Sequence, residues 1–103
     1  MTYEVIVSPR ARAQLIALYD YIADSSTEEI ADNYTSAILA HCRGLSTFPK
    51  RGAQRDNIRS GIRIFGFRRR VSIAFQIGET SVTILGVFYG GQNFEALLKE
   101  GED

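Results

Sequence analysis

Cysteine, histidine and tryptophan are almost or wholly absent from this sequence of 103 residues. The single cysteine, Cys42, excludes a disulfide within the chain, and a zinc site would have to combine it with the neighbouring His41 and carboxylates. Adjacent helical positions point about 100° apart, so we expect a reduced, half-buried thiol beside a buried imidazole instead. The sequence therefore predicts neither a metal nor a cofactor.

Long apolar runs are also missing. The longest ones fall short of the roughly 18 residues that a membrane-spanning helix needs, and no basic segment followed by an apolar one opens the chain. Charged residues make up 23% of the sequence and hydrophobic residues 45%, as in an ordinary globular protein. We therefore expect a cytoplasmic protein without a membrane partner, folded as one domain over residues 1–103.

The formal net charge is zero, but the charges are separated along the chain. Most acidic residues lie in the first third and in the tail. Between positions 50 and 70, basic side chains greatly outnumber the single acid, Asp56. The basic residues of this window are Lys50, Arg51, Arg55, Arg59, Arg63, Arg68, Arg69 and Arg70. Such polarity indicates an acidic partner, either protein or nucleic acid.

Periodicity and capping residues predict two helices in the first half of the chain. Ser8 and Pro9 form a helix start, and apolar residues then recur at helical spacing to about position 24. Ser26 and Glu29 fit a capping box that opens a second helix, whose apolar stripe runs from Ile30 to Phe48 and stops at Pro49. The short connection predicts an αα-hairpin.

Alternating apolar residues predict strands on either side of this hairpin. Residues 3–7 form a short first strand, residues 50–61 a polar loop, and the segments from Ile62, from Val71 and over 81–89 three further strands. The last of these is apolar on both faces, as expected of a covered central strand. The predicted fold class is α+β: an N-terminal strand, the αα-hairpin, and a three-stranded antiparallel meander that completes a small antiparallel sheet.

Residues for ordinary catalysis are scarce. His41 lies on the apolar stripe of the second helix, where a core imidazole is more common than a general base. No phosphate-binding loop, nucleophile elbow or metal-spaced cluster is present. We therefore expect a protein that is not an enzyme.

Two stretches remain as candidates for binding. The arginines form either a solvated hairpin tip or a site for phosphates or carboxylates through forked donors, and the second interpretation is favoured. Residues 90–103 form a tail, either a short helix tucked onto the domain or an element that contacts a partner. The candidate target-binding residues are Arg59, Arg63, Arg68, Arg69, Arg70, Tyr89 and Phe94.

Four fragments in order resemble the ParE toxins of the RelE/ParE superfamily. They are Y-x-V-x-x-S-P-x-A-x-x-x-L-x-x-x-Y-x-Y-I-A from Tyr3, L-x-x-F-P-x-x-G from Leu45, I-R-x-G-I-R-I-F-x-F-x-x-R-V-x-I-A-F from Ile58, and I-L-G-V-F-Y-G-G-Q-N-F-E-A-L-L from Ile84. The resemblance spans nearly the whole chain. It implies a helical hairpin on a small sheet and a toxin of a type II toxin–antitoxin pair that traps DNA gyrase on its cleaved DNA.

RelE-like relatives instead cut mRNA on the ribosome, which requires an acid, a base and cations around one phosphate. Arg63 lies at the glycine-x-arginine of the family, but the loop offers only Lys50, and the H-x-x-R of many relatives is replaced here by Tyr89 and the residues after it. Phenols ionise well above neutral pH. The gyrase poison is therefore favoured; the ribonuclease is the alternative, and an inactive toxin-derived interaction module is a second one.

The resemblance also implies a hetero-oligomer with a ParD-like antitoxin, whose C-terminal helix wraps the toxin, and DNA gyrase, alone or with its bound DNA, as the target. Apolar positions of the hairpin offer a groove for an amphipathic helix. The candidate antitoxin-binding residues are Leu15, Leu18, Tyr19, Ile22, Tyr34, Ile38 and His41.

Overall fold

The computed structural model describes residues 2–90, and within them it places two helices on one face of a five-stranded sheet. The predicted α+β class is confirmed. In chain order the elements are β1 (Glu4–Val7), α1 (Pro9–Ser25), α2 (Glu28–Arg43), a short 3-10 helix (Gly44–Ser46), β2 (Ala53–Gln54), β3 (Ile62–Phe67), β4 (Val71–Ile77) and β5 (Ser81–Tyr89).

Local capping chemistry starts both helices. Ser8 Oγ accepts a hydrogen bond from the Ala11 amide at 3.1 Å, and Pro9 is the first residue of α1, as predicted. The cap of α2 is Thr27, whose Oγ1 accepts from the Ile30 amide at 3.1 Å. The predicted cap at Ser26 is therefore wrong by one residue, because the hydroxyl that accepts the Ile30 amide is that of Thr27.

The predicted apolar stripe of α2 is correct in its middle and wrong at both ends. Ile30, in the first turn of α2, is 50% exposed, and Phe48, which lies beyond the end of α2 at Arg43, is 65% exposed. The expected environments of the two rare side chains are also exchanged, since Cys42 is buried and His41 is half-buried.

The sheet has the order β1-β5-β4-β3-β2. The antiparallel meander of β3, β4 and β5 is confirmed. The expectation of a wholly antiparallel sheet is wrong, because β1 pairs with β5 in parallel, from Glu4 opposite Ser81 to Val7 opposite Ile84. The two-helix excursion between β1 and the meander returns the chain to the opposite edge, which allows this pairing.

A β-bulge explains why β5 is apolar on both faces. The register against β4 shifts at Leu85, so that Ile84 and Val87 both pack under the helices. Phe88 faces the other side, where it joins a second, smaller core with Ile58. Alternation along β5 lets the strand contribute to two cores, and the bulge keeps Ile84 and Val87 on the same face.

The predicted loop of residues 50–61 contains structure that its polarity concealed. Gly52 adopts a φ of +72°, and a Cβ there would collide with the Ile64 carbonyl, which lets the backbone approach β3 closely. The two residues of β2 then pair with β3. Ile58, an isolated apolar residue in this segment, covers the far face of the sheet.

Within the part of the chain that the structure describes, neither helix combines the length and the apolar character required to cross a bilayer.

Candidate functional site

The arginine hairpin, Phe67–Val71, joins β3 to β4 at one end of the sheet. Arg70 N donates to Phe67 O at 3.2 Å, which closes the turn. Arg68 and Arg69 have φ angles of 51° and 63°, the left-handed region that such turns ordinarily fill with asparagine and glycine. For other residues this conformation costs about 1–2 kcal/mol each. Strained residues of this kind concentrate at functional sites.

All three arginines of the hairpin are exposed. The Arg68 guanidinium carbon lies 4.8 Å from the ring centroid of Phe67 and 5.6 Å from that of Tyr34. These distances are within the range of cation–π attraction, which holds the guanidinium against Phe67 and against Tyr34 of α2. The exposed tip therefore presents Arg69 and Arg70, while Arg68 links it to the body of the domain.

An aromatic cluster, formed by Tyr34, His41, Phe65 and Phe67, supports the hairpin. His41 stacks on Phe65 with centroids 4.7 Å apart and planes 12° apart. Tyr34 meets Phe67 edge-on at 5.6 Å. These contacts between α2 and β3 fix the orientation of the strand that carries the arginines.

The phenol of Tyr34 lies in this electrostatic setting. Burial raises the pKa of Tyr34, and the nearby Tyr89 raises it further, whereas the positive charges of Arg68 and Arg70 lower it. The net direction is upward, so Tyr34 stays protonated at neutral pH. It is a hydrogen-bond donor rather than a base.

Tyr89 ends β5 next to the hairpin, because it pairs with Val71. Its ring lies 5.9 Å from that of Tyr21, which projects from α1. The two tyrosines border a groove of about 350 Å³ between α1 and β5, the tyrosine groove, lined by Gln14, Ala17, Leu18, Tyr21, Val87 and Tyr89. The hairpin and the tyrosine groove together form one continuous candidate surface.

The other predicted target-binding residues lie elsewhere. Arg63 is the second residue of β3 and donates from Nε to the Arg51 carbonyl at 3.0 Å. The half-buried Arg59 lies in the preceding turn. At about 3.3 Å per residue, the five steps from Arg63 to Arg68 separate them by about 17 Å. Basic side chains therefore lie near both ends of β3, Arg63 near its start and the arginine hairpin after its last residue. Phe94 lies outside the described residues.

The predicted antitoxin-binding residues divide among three places. Leu18 and Ile38 are buried between the αα-hairpin and the sheet, and Ile22 is half-buried against the same core. Leu15 and Tyr19 line a groove of about 440 Å³ between the helices, the interhelical groove. The remaining two, Tyr34 and His41, belong to the aromatic cluster.

Sequence reasoning missed several residues of the interhelical groove. Ile16 is 57% exposed, and Leu39 is half-buried on the facing side of α2. The residues that line this groove are Val7, Arg12, Leu15, Ile16, Tyr19, Thr35 and Leu39. The available signal was Ile16 itself, an apolar residue that directly follows the candidate Leu15 in the sequence.

Among residues 2–90, no three His, Cys, Asp or Glu side chains come together as metal ligands. Burial raises the pKa of the Cys42 thiol to about 11, so it is protonated at neutral pH. The chemistry available at the described surfaces is therefore that of cations, aromatic rings and apolar grooves.

The class defined by these features is a small α+β domain in which an αα-hairpin covers one face of a mixed sheet. The chain belongs to the family of ParE toxins of type II toxin–antitoxin systems, whose model, described for the parDE system, matches residues 5–94. A solved structure from the chromosomal ParDE system of P. aeruginosa shares the fold, with a TM-score of 0.76 and 22% identity, over 86% of this chain and 97% of that one. A search of curated proteins finds no match.

Proposed function

We propose that this toxin inhibits DNA gyrase by binding it and trapping the complex with cleaved DNA, and that it acts without catalysis of its own. The observation that carries the proposal is the exposed arginine hairpin, in which left-handed arginines occupy positions that favour asparagine and glycine. A guanidinium pair at a rigid tip suits carboxylates on gyrase or phosphates of its bound DNA.

The protonation states and positions of the titratable groups support binding over catalysis. Cleavage of RNA needs an acid, a base and cations arranged around one phosphate. In the described part of the chain Tyr34 is held protonated and His41 is stacked on Phe65. Arg63 binds the Arg51 carbonyl at the other end of β3 from the hairpin. Arg63 is thus separated from Tyr34 and the arginine hairpin, and the phenol that lies beside Arg68 and Arg70 is protonated and does not act as a base.

One feature favours the ribonuclease as the second candidate. Exposed arginines beside tyrosine rings, as at the arginine hairpin and Tyr21, form a surface on which single-stranded RNA bases stack. This alternative is therefore kept as an arm of the experiment.

A ParD-like antitoxin is the partner that fits the interhelical groove. The interhelical groove is mostly apolar and open, and Ile16 and Tyr19 border it from α1. An amphipathic helix can place its apolar face there. Since the antitoxin and the target would occupy different surfaces, the two partners do not need to share residues.

Gyrase assays with matched charge variants test the proposal. Purified toxin is added to supercoiling and DNA-cleavage reactions, beside Arg69→Glu and Arg51→Glu, two exposed positions that undergo the same charge change. We expect the wild type to inhibit supercoiling and accumulate cleaved complexes, Arg69→Glu to lose at least about tenfold in potency, and Arg51→Glu to retain activity. Equal losses in both variants would remove the hairpin from the site.

A ribosome arm separates the second candidate. The same preparations are added to a translation reaction, and the mRNA is examined for cuts. Cutting of ribosome-bound mRNA together with unaffected gyrase would overturn the proposal in favour of the ribonuclease. Absence of both effects, with normal growth on induction, would favour the inactive module.

A further inference from the structure

Strand β1 forms one edge of the sheet, and no other strand of residues 2–90 pairs with its outer side. Just before β1, Tyr3 N donates outwards to Ser46 O at 2.8 Å, so the free part of the edge begins at Val5. Glu4 N donates to Thr80 O and Ser8 N to Ile84 O, each at 3.0 Å, so even-numbered residues direct their backbone groups towards β5. The amides and carbonyls of Val5 and Val7 consequently point outwards. An open edge of this kind is a template for another strand.

A groove of about 560 Å³, the edge groove, runs directly beside this edge. Its walls are β1 and α2, and its lining residues are Tyr3, Val5, Val7, Leu39, Cys42, Arg43 and Ser46. It meets the interhelical groove at the two shared residues, Val7 and Leu39. One extended segment pairing with β1 would direct alternate side chains, about 7 Å apart, into this groove.

Positive charge marks each groove. Arg12 lies on the interhelical groove and Arg43 on the edge groove, both exposed, and no carboxylate lines either one among the described residues. Acidic side chains lie outside the lining near Tyr19, whose pKa is raised by burial and then by Glu28, Asp32 and Asp20. An occupant must therefore combine apolar residues at alternate positions with acidic residues that meet these two arginines.

We infer that the outer edge of β1 binds an extended segment of the antitoxin, which adds a sixth strand beside β1 and fills the edge groove before the chain continues into the interhelical groove. This inference rests on the proposed antitoxin partner and specifies how that partner is held. Backbone pairing supplies affinity, and the alternate apolar residues with acidic neighbours supply specificity.

A second copy of this toxin is a poorer occupant. Its own β1 offers one acid, Glu4, whose side chain shares the opposite face of the sheet with the exposed Ile6. Edge-to-edge pairing of two copies therefore leaves Arg12 and Arg43 without acidic partners. The charge pattern selects a segment of different sequence.

Amide hydrogen exchange tests the inference directly. The full-length toxin is measured alone and with the antitoxin encoded by the neighbouring reading frame. Glu4, Ile6 and Ser8 are expected to be protected in both states because they face β5. Val5 and Val7 are expected to exchange fast in the free toxin and to slow at least about tenfold in the complex.

A charge variant supplies an independent measurement. Arg12→Glu places an acid in the first turns of α1, where it does not oppose the helix dipole, so the fold should be kept. We expect it to weaken antitoxin binding about tenfold, whereas Arg69→Glu, the same change at the arginine hairpin, leaves the affinity unchanged.

The outcomes separate the two proposals. Binding with Val5 and Val7 still exchanging fast overturns the strand pairing and leaves the antitoxin partner in place. Protection of both amides in the free toxin, increasing with concentration, assigns the edge to a second copy and also overturns it. No binding at all overturns the partner, and the inference with it.

Discussion

At the scale of single residues, burial decides what the rare side chains can do. Cys42 is almost fully enclosed between α2 and the sheet, and His41, its neighbour, stacks on Phe65. The position of His41 on an apolar stripe was predictable, and Cys42 was expected to be half-buried beside it. Their order of burial was not, because it depends on how α2 is rotated against β3.

Protection of Cys42 from alkylation checks this burial. With the thiol pKa raised to about 11 from an ordinary value of 9.0, the thiolate fraction at pH 8 falls roughly 100-fold. We expect native protein to react with iodoacetamide at least that much more slowly than protein unfolded in guanidinium chloride. Equal rates in the two states would place the thiol at the surface.

The same shift in the pKa of Cys42 predicts how stability depends on pH. The folded pKa lies above the unfolded one, so the contribution is complete below about pH 9 and is lost as the pH rises towards 11. Denaturation of Cys42→Ala should therefore show a shallower decline than the wild type over this interval. Parallel curves would contradict the assignment.

At the scale of elements, the arginine hairpin combines a backbone conformation that lowers stability with side chains that we propose to bind the target. Replacing Arg68 by asparagine and Arg69 by glycine fits the left-handed backbone of the turn. We expect the free energy of unfolding of the double variant to be about 1–2 kcal/mol higher than that of the wild type. We also expect the variant to lose inhibition of gyrase. Chemical denaturation and the supercoiling assay measure the two effects.

The double variant Arg68→Ala/Arg69→Ala is the matched control for this hairpin, because it removes the charges but keeps Cβ atoms at both positions. It should lose inhibition without becoming as stable as the asparagine–glycine variant. Full inhibition by either variant would show that the arginines of the turn do not contact the target.

Elements that are specified locally were predictable, and those specified by distant contacts were not. Ser8 and Pro9 start α1 through groups a few residues away, so the sequence alone placed that helix correctly. The cap of α2 was misplaced by one residue because Ser26 and Thr27 offer the same hydroxyl. The two-residue β2 is too short to produce an alternating pattern.

The candidate site shows the same division. The charge of the arginine hairpin and the turn position of Arg68 were visible in the sequence. The aromatic cluster beneath it joins Tyr34 and His41 of α2 to residues of β3, and only the folded chain brings these together. The separation of Arg63 from the hairpin follows from the length of β3, which a composition window ignores.

At the scale of the whole molecule, the core and the proposed antitoxin-binding groove use different faces of the helices. Ile38 is fully buried, so Ile38→Ala should cost about 2–5 kcal/mol of unfolding free energy. Ile16 is 57% exposed on the interhelical groove, and Ile16→Ala should change stability by less than about 0.5 kcal/mol while weakening antitoxin binding. Calorimetric titration and denaturation separate the two quantities.

Comparison of these two isoleucines also tests the assignment of the groove. If Ile16→Ala binds the antitoxin as tightly as the wild type, the helix of the antitoxin lies elsewhere. A loss of stability comparable to that of Ile38→Ala would instead show that Ile16 belongs to the core.

The parallel pairing of β1 with β5 determines when this toxin becomes a finished molecule during its synthesis. The first strand made is completed by the last, since Glu4 lies opposite Ser81. Contacts so distant in sequence form slowly, after the intervening chain is ordered. A ribosome that has translated only as far as β4 therefore carries a chain in which β1 still lacks its neighbour, and the complete sheet exists only after β5 has been made.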